Sequence, residues 1–302
     1  MPATYRPYTL DDMLRVRDML IAVHDARVPP ATWRLERWEY ARYFVAPMLG
    51  DPDPVVSAEN IRRWEDLTGV WVDASGAVAG AVTTEHADPR HEEYHTAFIL
   101  YRPGHEDTLD DMLAYAERRL AHPATGALCV PIYDNDEALR MAAARRGYAM
   151  DTEYGEIESE MTLADLPAPT VPEGFALRSM AEYGDLARRA KAFGLGFNHP
   201  DPKDWPSAAT YAELQRAPDY RADLDMCVVA PDGEVASFCL VWFDARNRIA
   251  SLEPVGTVPA YRRRGLARAA VIEGLRRAAA LGAERAWVGS TQPFYKSLGF
   301  RE

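Results

Sequence analysis

The chain has 302 residues, which at about 100–200 residues per domain favours two domains. Apolar residues make up 48% of it without a run long enough to span a membrane, the net charge is −12, and the three cysteines are widely spaced. These features disfavour a membrane protein, a general nucleic-acid binder, a disulfide framework and a zinc ribbon, so we expect a cytoplasmic monomer or homodimer that binds neither membrane nor nucleic acid.

The first half of the chain alternates short apolar runs with helical patterns. Its turn sequence Asp73-Ala74-Ser75-Gly76 is typical of a hairpin. In chain order the patterns predict a strand at 5–6, a helix over 10–24, strands over 70–72, 78–84 and 96–100, a helix over 109–120, a strand over 127–130, a helix over 136–146 and a strand over 157–163.

The second half repeats this order after a proline-rich stretch, residues 166–174, which we interpret as a linker. The patterns predict a strand over 175–178, a helix over 181–193, a hairpin of strands 226–230 and 235–243, a strand over 250–257, a helix over 265–281, a strand over 285–288 and a short helix. The repeated order indicates two α/β units of one architecture, over residues 1–165 and 175–302.

One stretch at the end of the predicted strand 250–257 carries a chemical signal. After Pro259 the chain reads Arg262-Arg263-Arg264-Gly265-Leu266-Ala267, and a long predicted helix follows. A helix N-terminus has unpaired N–H groups and a partial positive charge, and both favour a bound phosphate. Small residues at positions 265 and 267 let the backbone approach an anion closely, and the arginines add charge. The pattern predicts a pyrophosphate site that is neither a Walker loop nor a dinucleotide fingerprint.

These residues resemble the GNAT superfamily of N-acetyltransferases. The family's loop Arg/Gln-x-x-Gly-x-Gly/Ala corresponds here to Arg262-x-x-Gly265-x-Ala267. One helix and one strand further on, Phe294-Tyr295-Lys296-Ser297-Leu298-Gly299-Phe300 resembles the family's Phe/Leu-Tyr-x-x-Leu-Gly-Phe. The resemblance covers residues 171–302. It implies a mixed, largely antiparallel sheet flanked by helices, with acetyl-CoA as co-substrate.

The resemblance also implies a role for each residue of these motifs. The strand before the loop would bind the pantetheine arm and polarise the thioester carbonyl through Val255, Gly256 and Thr257. The loop would bind the pyrophosphate through Arg262, Arg263, Arg264, Gly265, Leu266, Ala267 and Arg268. Tyr295 would protonate the leaving thiolate, unless it is only a core aromatic. Glu253, two residues before Val255 and on the same strand face by alternation, would be the general base, unless it is a surface carboxylate.

Two departures from the family pattern affect the second half. Val288 stands where the family usually has an asparagine, seven residues before the tyrosine, so a contact to the pantetheine arm is missing or is made by Ser290 or Thr291. The family also adds a strand after Gly299-Phe300. That strand must come from another part of the chain or lie beyond Glu302.

The first half resembles only the late part of a GNAT unit, in Asn135-Asp136-Glu137-Ala138 and Arg146-Gly147-Tyr148. Its loop over residues 101–107 is acidic and lacks the glycine spacing, and carboxylates at a helix start would repel a pyrophosphate. We interpret residues 1–165 as a degenerate GNAT unit that has lost cofactor binding, in a tandem arrangement.

Other patterns suggest other chemistry. His91-Glu92-Glu93-Tyr94-His95 matches the zinc-protease motif H-E-x-x-H, but the strand predicted directly after it disfavours the helix that this motif needs. Cys227 and Cys239 allow a covalent acetyl-cysteine route, although cysteines on inner strands are usually core residues. The aromatic run over 33–44 favours core packing over a ligand site. The acceptor pocket is expected among Asn198, His199, Asp201, Asp204, Trp205, Tyr211 and Tyr220.

The sequence therefore predicts an acyltransferase. It would transfer acetyl from acetyl-CoA to the amine of a small molecule or peptide by direct attack in a ternary complex. Three alternatives stay open: a non-catalytic acyl-CoA-binding regulatory protein, a zinc hydrolase, and a GNAT enzyme with a longer acyl donor. The acceptor is not specified by any motif.

Overall fold

In a computed structural model of the protein, residues 3–24, 33–88, 95–153, 155–199 and 201–302 are described. The chain divides into two compact units, Met1–Asp151 and Thr152–Glu302, called unit 1 and unit 2 below. No helix in these described ranges is long and apolar enough to cross a membrane.

Unit 1 is built on one antiparallel sheet with flanking helices. Its strands are β1 (Thr4–Pro7), β2 (Gly69–Val72), β3 (Val78–Thr83) and β4 (Phe98–Tyr101), and they lie in that order in the sheet. Its helices are α1 (Asp12–Val23), α2 (Leu35–Tyr40), α3 (Ala46–Met48), α4 (Pro54–Leu67), α5 (Leu109–Leu120) and α6 (Glu137–Arg145), with a π-helical turn over Ala41–Val45.

The aromatic run of unit 1 lies in its core, as its spacing predicted. Trp33, Trp38 and Phe44 are buried, and the Trp38 ring lies 5.1 Å from that of Trp64 on α4. The indole N–H of Trp38 donates to the carbonyl of Met13 at 3.0 Å, so burial leaves this polar group satisfied. The run therefore closes the core of unit 1 and lines no ligand site there.

Unit 2 contains a six-stranded sheet in the order β5-β10-β9-β8-β7-β6. Its strands are β5 (Ser159–Thr162), β6 (Ala176–Ser179), β7 (Asp225–Val229), β8 (Val235–Asp244), β9 (Ile249–Thr257) and β10 (Arg285–Val288). Its helices are α7 (Met180–Tyr183), α8 (Leu186–Gly196), α9 (Ala208–Leu214), α10 (Leu266–Ala280) and α11 (Pro293–Leu298).

Helix α10 is the crossover between the one parallel strand pair of this described sheet, β9 and β10. It packs on β7, β8 and β9 through apolar residues spaced three and four apart. The helix comes closest to the sheet at Gly274, where a Cβ would lie 2.6 Å from Cγ2 of Val241. A larger side chain at this position would push the helix away from the sheet.

The predicted elements form with two local differences. The helix predicted over 181–193 is two helices, α7 and α8, because the chain turns at Gly184 with a φ of +72°. The strand predicted over 127–130 is reduced to one bridge, in which Cys129 pairs in parallel with Thr96. The apolar periodicity of the sequence does not predict either interruption.

The strand predicted over 157–163 forms as β5, but it does not end the sheet of unit 1. It pairs antiparallel with β10, from Arg285 opposite Thr162 to Val288 opposite Ser159. Glu160 also exchanges backbone hydrogen bonds of 2.8 Å with Arg301, so β5 lies between β10 and the end of the chain. Thus β5, which precedes the proline-rich stretch, pairs with β10 and with the residue after Gly299-Phe300, where a further strand was expected. The units divide between residues 151 and 152, earlier than the predicted boundary at 165.

A buried ion pair fixes α8 to the sheet of unit 2. Arg189 and Asp225 are fully buried, and Nε of the arginine lies 3.2 Å from Oδ1 of the aspartate. Nη1 of Arg189 donates to the hydroxyl of Tyr211 at 2.7 Å, and the hydroxyl of Tyr220 donates to Asp225 at 3.1 Å. Breaking such a pair from one side leaves an uncompensated charge in the core.

We predict that Arg189→Met lowers the free energy of unfolding by about 3–5 kcal/mol, because it strands the Asp225 carboxylate. Adding Asp225→Leu should recover most of this loss. The exposed pair Arg221–Asp223, at 2.7 Å, is the control, and Arg221→Met should cost about 1 kcal/mol or less. The free energy of unfolding of each variant is measured by urea denaturation. Equal losses in the single and double core variants would contradict the argument.

Candidate active site

The parallel pair β9–β10 opens part-way along β9. The two strands pair only from Ile249 opposite Arg285 to Ser251 opposite Trp287, whereas β9 continues to Thr257. On its other side β9 stays paired with β8 up to Thr257. In the second half of β9, one row of backbone groups therefore has no neighbouring strand among the described residues, and we call this row the open half of β9.

A bulge lies at the start of this open half. Cys239 of β8 pairs with Val255, whereas Val241 pairs with Leu252, so β9 carries one extra residue between these two pairs. Glu253 lies in that extra stretch, and its carbonyl accepts the Trp242 indole N–H at 2.8 Å. The prediction that Glu253 shares a strand face with Val255 by simple alternation is wrong, because alternation does not continue through a bulge.

The loop after β9 presents a series of unpaired backbone donors. Arg263 and Gly265 have positive φ angles of 65° and 79°, and α10 starts directly afterwards. Among the described residues no acceptor pairs with the backbone N–H groups of Arg263, Arg264, Gly265, Leu266, Ala267 or Arg268. A helix N-terminus with free donors of this kind is an anion site.

The structure adds a conformational reason for the glycine at position 265, beside the predicted close approach of an anion. A Cβ at Gly265 would meet no atom of the chain within 4 Å, so space inside the protein does not require glycine. The left-handed backbone does, since it is strained for other residues.

Arg262 does not join this series. Its backbone N–H donates to Pro259 at 3.2 Å, and its guanidinium donates to the carbonyl oxygens of Thr257 and Gly196, each at 3.1 Å. The same Nη2 donates to Oδ1 of Asn198 at 2.6 Å. Nε and Nη2 of Arg262 thus bind acceptors of the chain itself, and direct cofactor binding by Arg262 stays a prediction.

Tyr295 faces the open half of β9 from α11. Its ring is buried against Phe300, and its hydroxyl forms no hydrogen bond within the described part of the chain. Burial raises the pKa of Tyr295, and Cys239 and the Glu253 carboxylate raise it further. The two predicted catalytic groups are therefore close enough to influence each other, and the phenol keeps its proton.

A cavity of about 290 Å³ adjoins the start of α10. One wall is the proline-rich stretch 167–172, and the other includes Arg264, Gly265, Arg268 and Ile272. Arg268 donates to the Ser297 carbonyl at 3.3 Å, and Arg264 lies 5.9 Å from the centre of the Tyr261 ring. The segment predicted as a linker thus forms part of the surface around the anion site.

Residues 193–300 match the acetyltransferase (GNAT) family, and the match spans β7 to β10 together with the loop and Tyr295. The matched residues all lie within unit 2. An opened parallel pair, a loop of free donors at the start of the crossover helix and a tyrosine facing the gap thus occur together in a segment that matches this family.

Known proteins resemble larger parts of the chain. A mycothiol acetyltransferase of Kineococcus radiotolerans is 30% identical over 187 residues, which is 59% of this chain and 58% of the relative, so the match spans little more than half of either. Two solved structures share the fold. A tandem GNAT protein of clavulanic acid biosynthesis matches 99% of this chain and 95% of its own at 14% identity and a TM-score of 0.56. A GCN5-related N-acetyltransferase of Sphaerobacter thermophilus matches 90% of each chain at 20% and 0.52.

In the acidic loop of unit 1, carboxylates accept hydrogen bonds from nearby donors of the same unit. The N–H of Gly104 donates to Oε1 of Glu106 at 2.9 Å, and this bond lowers the pKa of the Glu106 carboxyl. The hydroxyl of Tyr101, at the end of β4, donates to Asp136 at the start of α6 at 2.7 Å. A carboxylate therefore stands where unit 2 offers free donors.

The predicted acceptor residues are only partly brought together. Tyr211 is fully buried in the Arg189 network, so it lines no pocket. Trp205 packs on Gly194 and donates its indole N–H to the His199 carbonyl at 3.0 Å. Tyr220 packs edge-on against Trp242, at 6.5 Å between ring centres. The same Trp242 donates its indole N–H to the Glu253 carbonyl.

Two residues that sequence reasoning missed shape the open half of β9. Ser237 of β8 donates to the Gly256 carbonyl at 2.8 Å and lies within 2.9 Å of the Thr257 hydroxyl. Trp242 holds the bulge through the carbonyl of Glu253. Both are ordinary inner-strand residues in the sequence, and only the register of β8 against β9 reveals their role.

The rival chemistries gain no support from the described residues. Of the motif His91-Glu92-Glu93-Tyr94-His95, only His95 lies within the described ranges, and there no group of three possible ligand side chains is placed to hold a metal ion. Cys227 and Cys239 are fully buried, and burial raises the pKa of both thiols, which disfavours a nucleophilic thiolate.

Replacing Gly265 with alanine tests the loop, with Gly184→Ala as a matched control. Both glycines have φ near +75° and ψ near zero, and a Cβ at either would meet nothing within 4 Å. Each variant should lose about 1–2 kcal/mol of unfolding free energy from backbone strain. Only Gly265→Ala should also weaken binding of CoA, by about tenfold or more, in calorimetry. A similar loss of CoA affinity in both variants would count against the site.

Proposed function

We propose that the protein is an acetyl-CoA-dependent N-acetyltransferase whose donor site lies in unit 2. The observation that carries the proposal is the run of backbone N–H groups from Arg263 to Arg268 that have no acceptor among the described residues, directly after the half of β9 that does not pair with β10. A pyrophosphate satisfies such donors, and a pantetheine arm has amide groups that match the open edge of a strand. This combination suits acyl-CoA better than a free nucleotide.

The arginines and the cavity fit the rest of the donor. Arg263, Arg264 and Arg268 are exposed around the loop, and the cavity beside Arg264 and Arg268 has proline walls. We propose that the nucleotide end of the donor enters this cavity. Charged side chains at the anion and apolar walls beyond it match a phosphorylated nucleoside.

The proposed reaction is direct attack of an amine on the thioester carbonyl. Nitrogen forms a bond to the carbonyl carbon, the carbon–sulfur bond breaks, and the products are an acetamide and CoA. An alkyl amine with a pKa near 10 is neutral in roughly one molecule in a thousand at pH 7, so removing its proton is a large part of the task. We assign that proton to Glu253, directly or through water.

Tyr295 would supply the proton that the departing thiolate takes up. Its raised pKa keeps the phenol protonated at neutral pH, and its hydroxyl has no competing acceptor among the described residues. Loss of its proton to a thiolate would place a phenolate near the Glu253 carboxylate, so donation is easier once Glu253 has been neutralised by the amine proton. The pair would then act in sequence.

We propose that unit 1 binds no acyl-CoA. The Glu106 carboxylate accepts a hydrogen bond from the Gly104 N–H, and the Asp136 carboxylate accepts one from the Tyr101 hydroxyl at the end of β4. A pyrophosphate would have to displace a carboxylate and then lie beside it. Unit 1 would thus keep the architecture of a donor unit without its binding site.

The acceptor is open, and an acetyl-CoA consumption screen over amines is the direct test. It should include a mycothiol-type acceptor, because a relative of 30% identity is named a mycothiol acetyltransferase, together with polyamines, aminoglycosides, amino acids and peptides. Tight binding of acetyl-CoA without turnover on any amine would favour a regulatory acyl-CoA-binding protein. Turnover with a longer acyl-CoA alone would correct the donor.

We predict that one acetyl-CoA binds per chain. Calorimetry should give a stoichiometry near one, and Arg264→Glu should weaken binding of CoA by about tenfold or more while affecting a pantetheine fragment much less. Asp107→Asn, in the acidic loop of unit 1, should leave the stoichiometry and affinity unchanged. Two equivalent sites would contradict the assignment of unit 1.

We predict different pH profiles for the two catalytic variants. Each proton-transfer group typically contributes about 10²–10⁴-fold, so Tyr295→Phe should lower kcat toward the small end of this range because a thiolate leaves readily. Glu253→Gln should lower activity at least as much at pH 7. The Glu253→Gln variant should recover part of the lost activity at high pH, where the free amine is abundant.

The controls for these two variants are Tyr183→Phe and Glu273→Gln. The Tyr183 hydroxyl donates to the Gly233 carbonyl, and the Glu273 carboxylate accepts from Arg277. Both should keep wild-type pH–rate profiles. Full activity of Glu253→Gln at pH 7 would assign the base to water or to another group.

A further inference from the structure

The contacts of Arg262 join two segments that would serve different substrates. Its guanidinium bonds the last residue of β9, Thr257, and the end of α8, through the carbonyl of Gly196 and the amide oxygen of Asn198. Its backbone continues directly into Arg263, the first of the free donors. One side chain thus links the start of the donor loop to the segment that leads from α8 to α9.

The link is short because the end of α8 lies close to β8 and β9 at this point. A Cβ on Gly196 would lie 3.0 Å from the Phe238 ring and 3.6 Å from the backbone nitrogen of Thr257, and one on Gly256 would lie 2.4 Å from the same ring. Asn198 reaches the guanidinium from a left-handed backbone with a φ of +62°. Asparagine tolerates that conformation better than most residues, so both the backbone and the side chain of Asn198 suit this contact.

We propose that Arg262 is a positioning residue that couples the donor loop to the segment between α8 and α9. This inference rests on the proposed function, because it assigns the loop to acyl-CoA and the segment to the acceptor side. A ligand that fixes the backbone of Arg263 to Arg268 also restricts Arg262. Through its three acceptors, Arg262 then restricts Gly196 to His199. Donor binding would in this way order the acceptor side before the amine arrives.

Hydrogen exchange with and without CoA tests the coupling directly. The N–H groups of Asn198 and His199 donate to Leu195 and Gly194, so their exchange reports whether the end of α8 is held. In the wild type, CoA should slow exchange at these two positions by about tenfold or more. Arg262→Met should abolish most of that slowing while keeping CoA affinity within about threefold, because Nε and Nη2 of Arg262 donate to the protein.

Two further variants separate coupling from a general loss of structure. Asn198→Gly keeps the left-handed backbone but removes the acceptor, so it should behave like Arg262→Met. Asn198→Asp keeps an acceptor for the guanidinium and should retain the slowing. Arg264→Met, which removes a donor-side charge, should weaken CoA binding by about tenfold and yet show the full slowing once CoA is saturating.

The outcomes separate the inference from the proposed function. If Arg262→Met loses as much CoA affinity as Arg264→Met and still shows slowed exchange at saturation, Arg262 is a ligand residue and the coupling is refuted. If the wild type binds no CoA, the proposed function fails. The coupling through Arg262 is then tested in ligand-free protein. Arg262→Met must speed hydrogen exchange at Asn198 and His199 there, or the coupling is refuted.

Discussion

The candidate site depends on where the parallel pairing of β9 and β10 stops. Three residue pairs hold the strands together, and beyond Ser251 the two strands no longer pair while β8 keeps β9 in place. A strand held on one side only cannot satisfy its remaining backbone groups within its own sheet. The open half of β9 is therefore a consequence of sheet geometry. The bulge at Glu253 lies on this strand and the donor loop follows its last residue, so both are positioned by the same constraint.

The two units differ in what the backbone donors after a strand bind. Each unit has parallel pairing, through the Thr96–Cys129 bridge in unit 1 and through β9 and β10 in unit 2. In unit 2 the donors after the strand have no protein acceptor among the described residues, whereas in unit 1 the Glu106 carboxylate accepts one. A single carboxylate at a helix start changes both the charge and the availability of the donors.

Local patterns predicted what local physics controls. Helix α5 has the predicted bounds, β10 has the predicted bounds, and the glycine-containing loop starts α10 as expected. Three features depend on partners far away in sequence and were not predicted. Alternation identified the strand at 159–162 but not its sheet, and the bulge at Glu253 arises from the register with β8. The contacts of Arg262 depend on the end of α8, Gly196, 66 residues earlier, and on Asn198, 64 residues earlier.

The position of β5 bears on how the two units can be separated. The strand precedes the proline-rich stretch, and the outer edge of β10 depends on it for its backbone partners. Cutting the chain at the prolines would therefore leave β10 as an open edge, which invites pairing with other molecules. The most visible break in the sequence is thus a poor place to divide the protein. A fragment that starts before Ser159 would carry the whole sheet, and one that starts at residue 175 would be prone to aggregate.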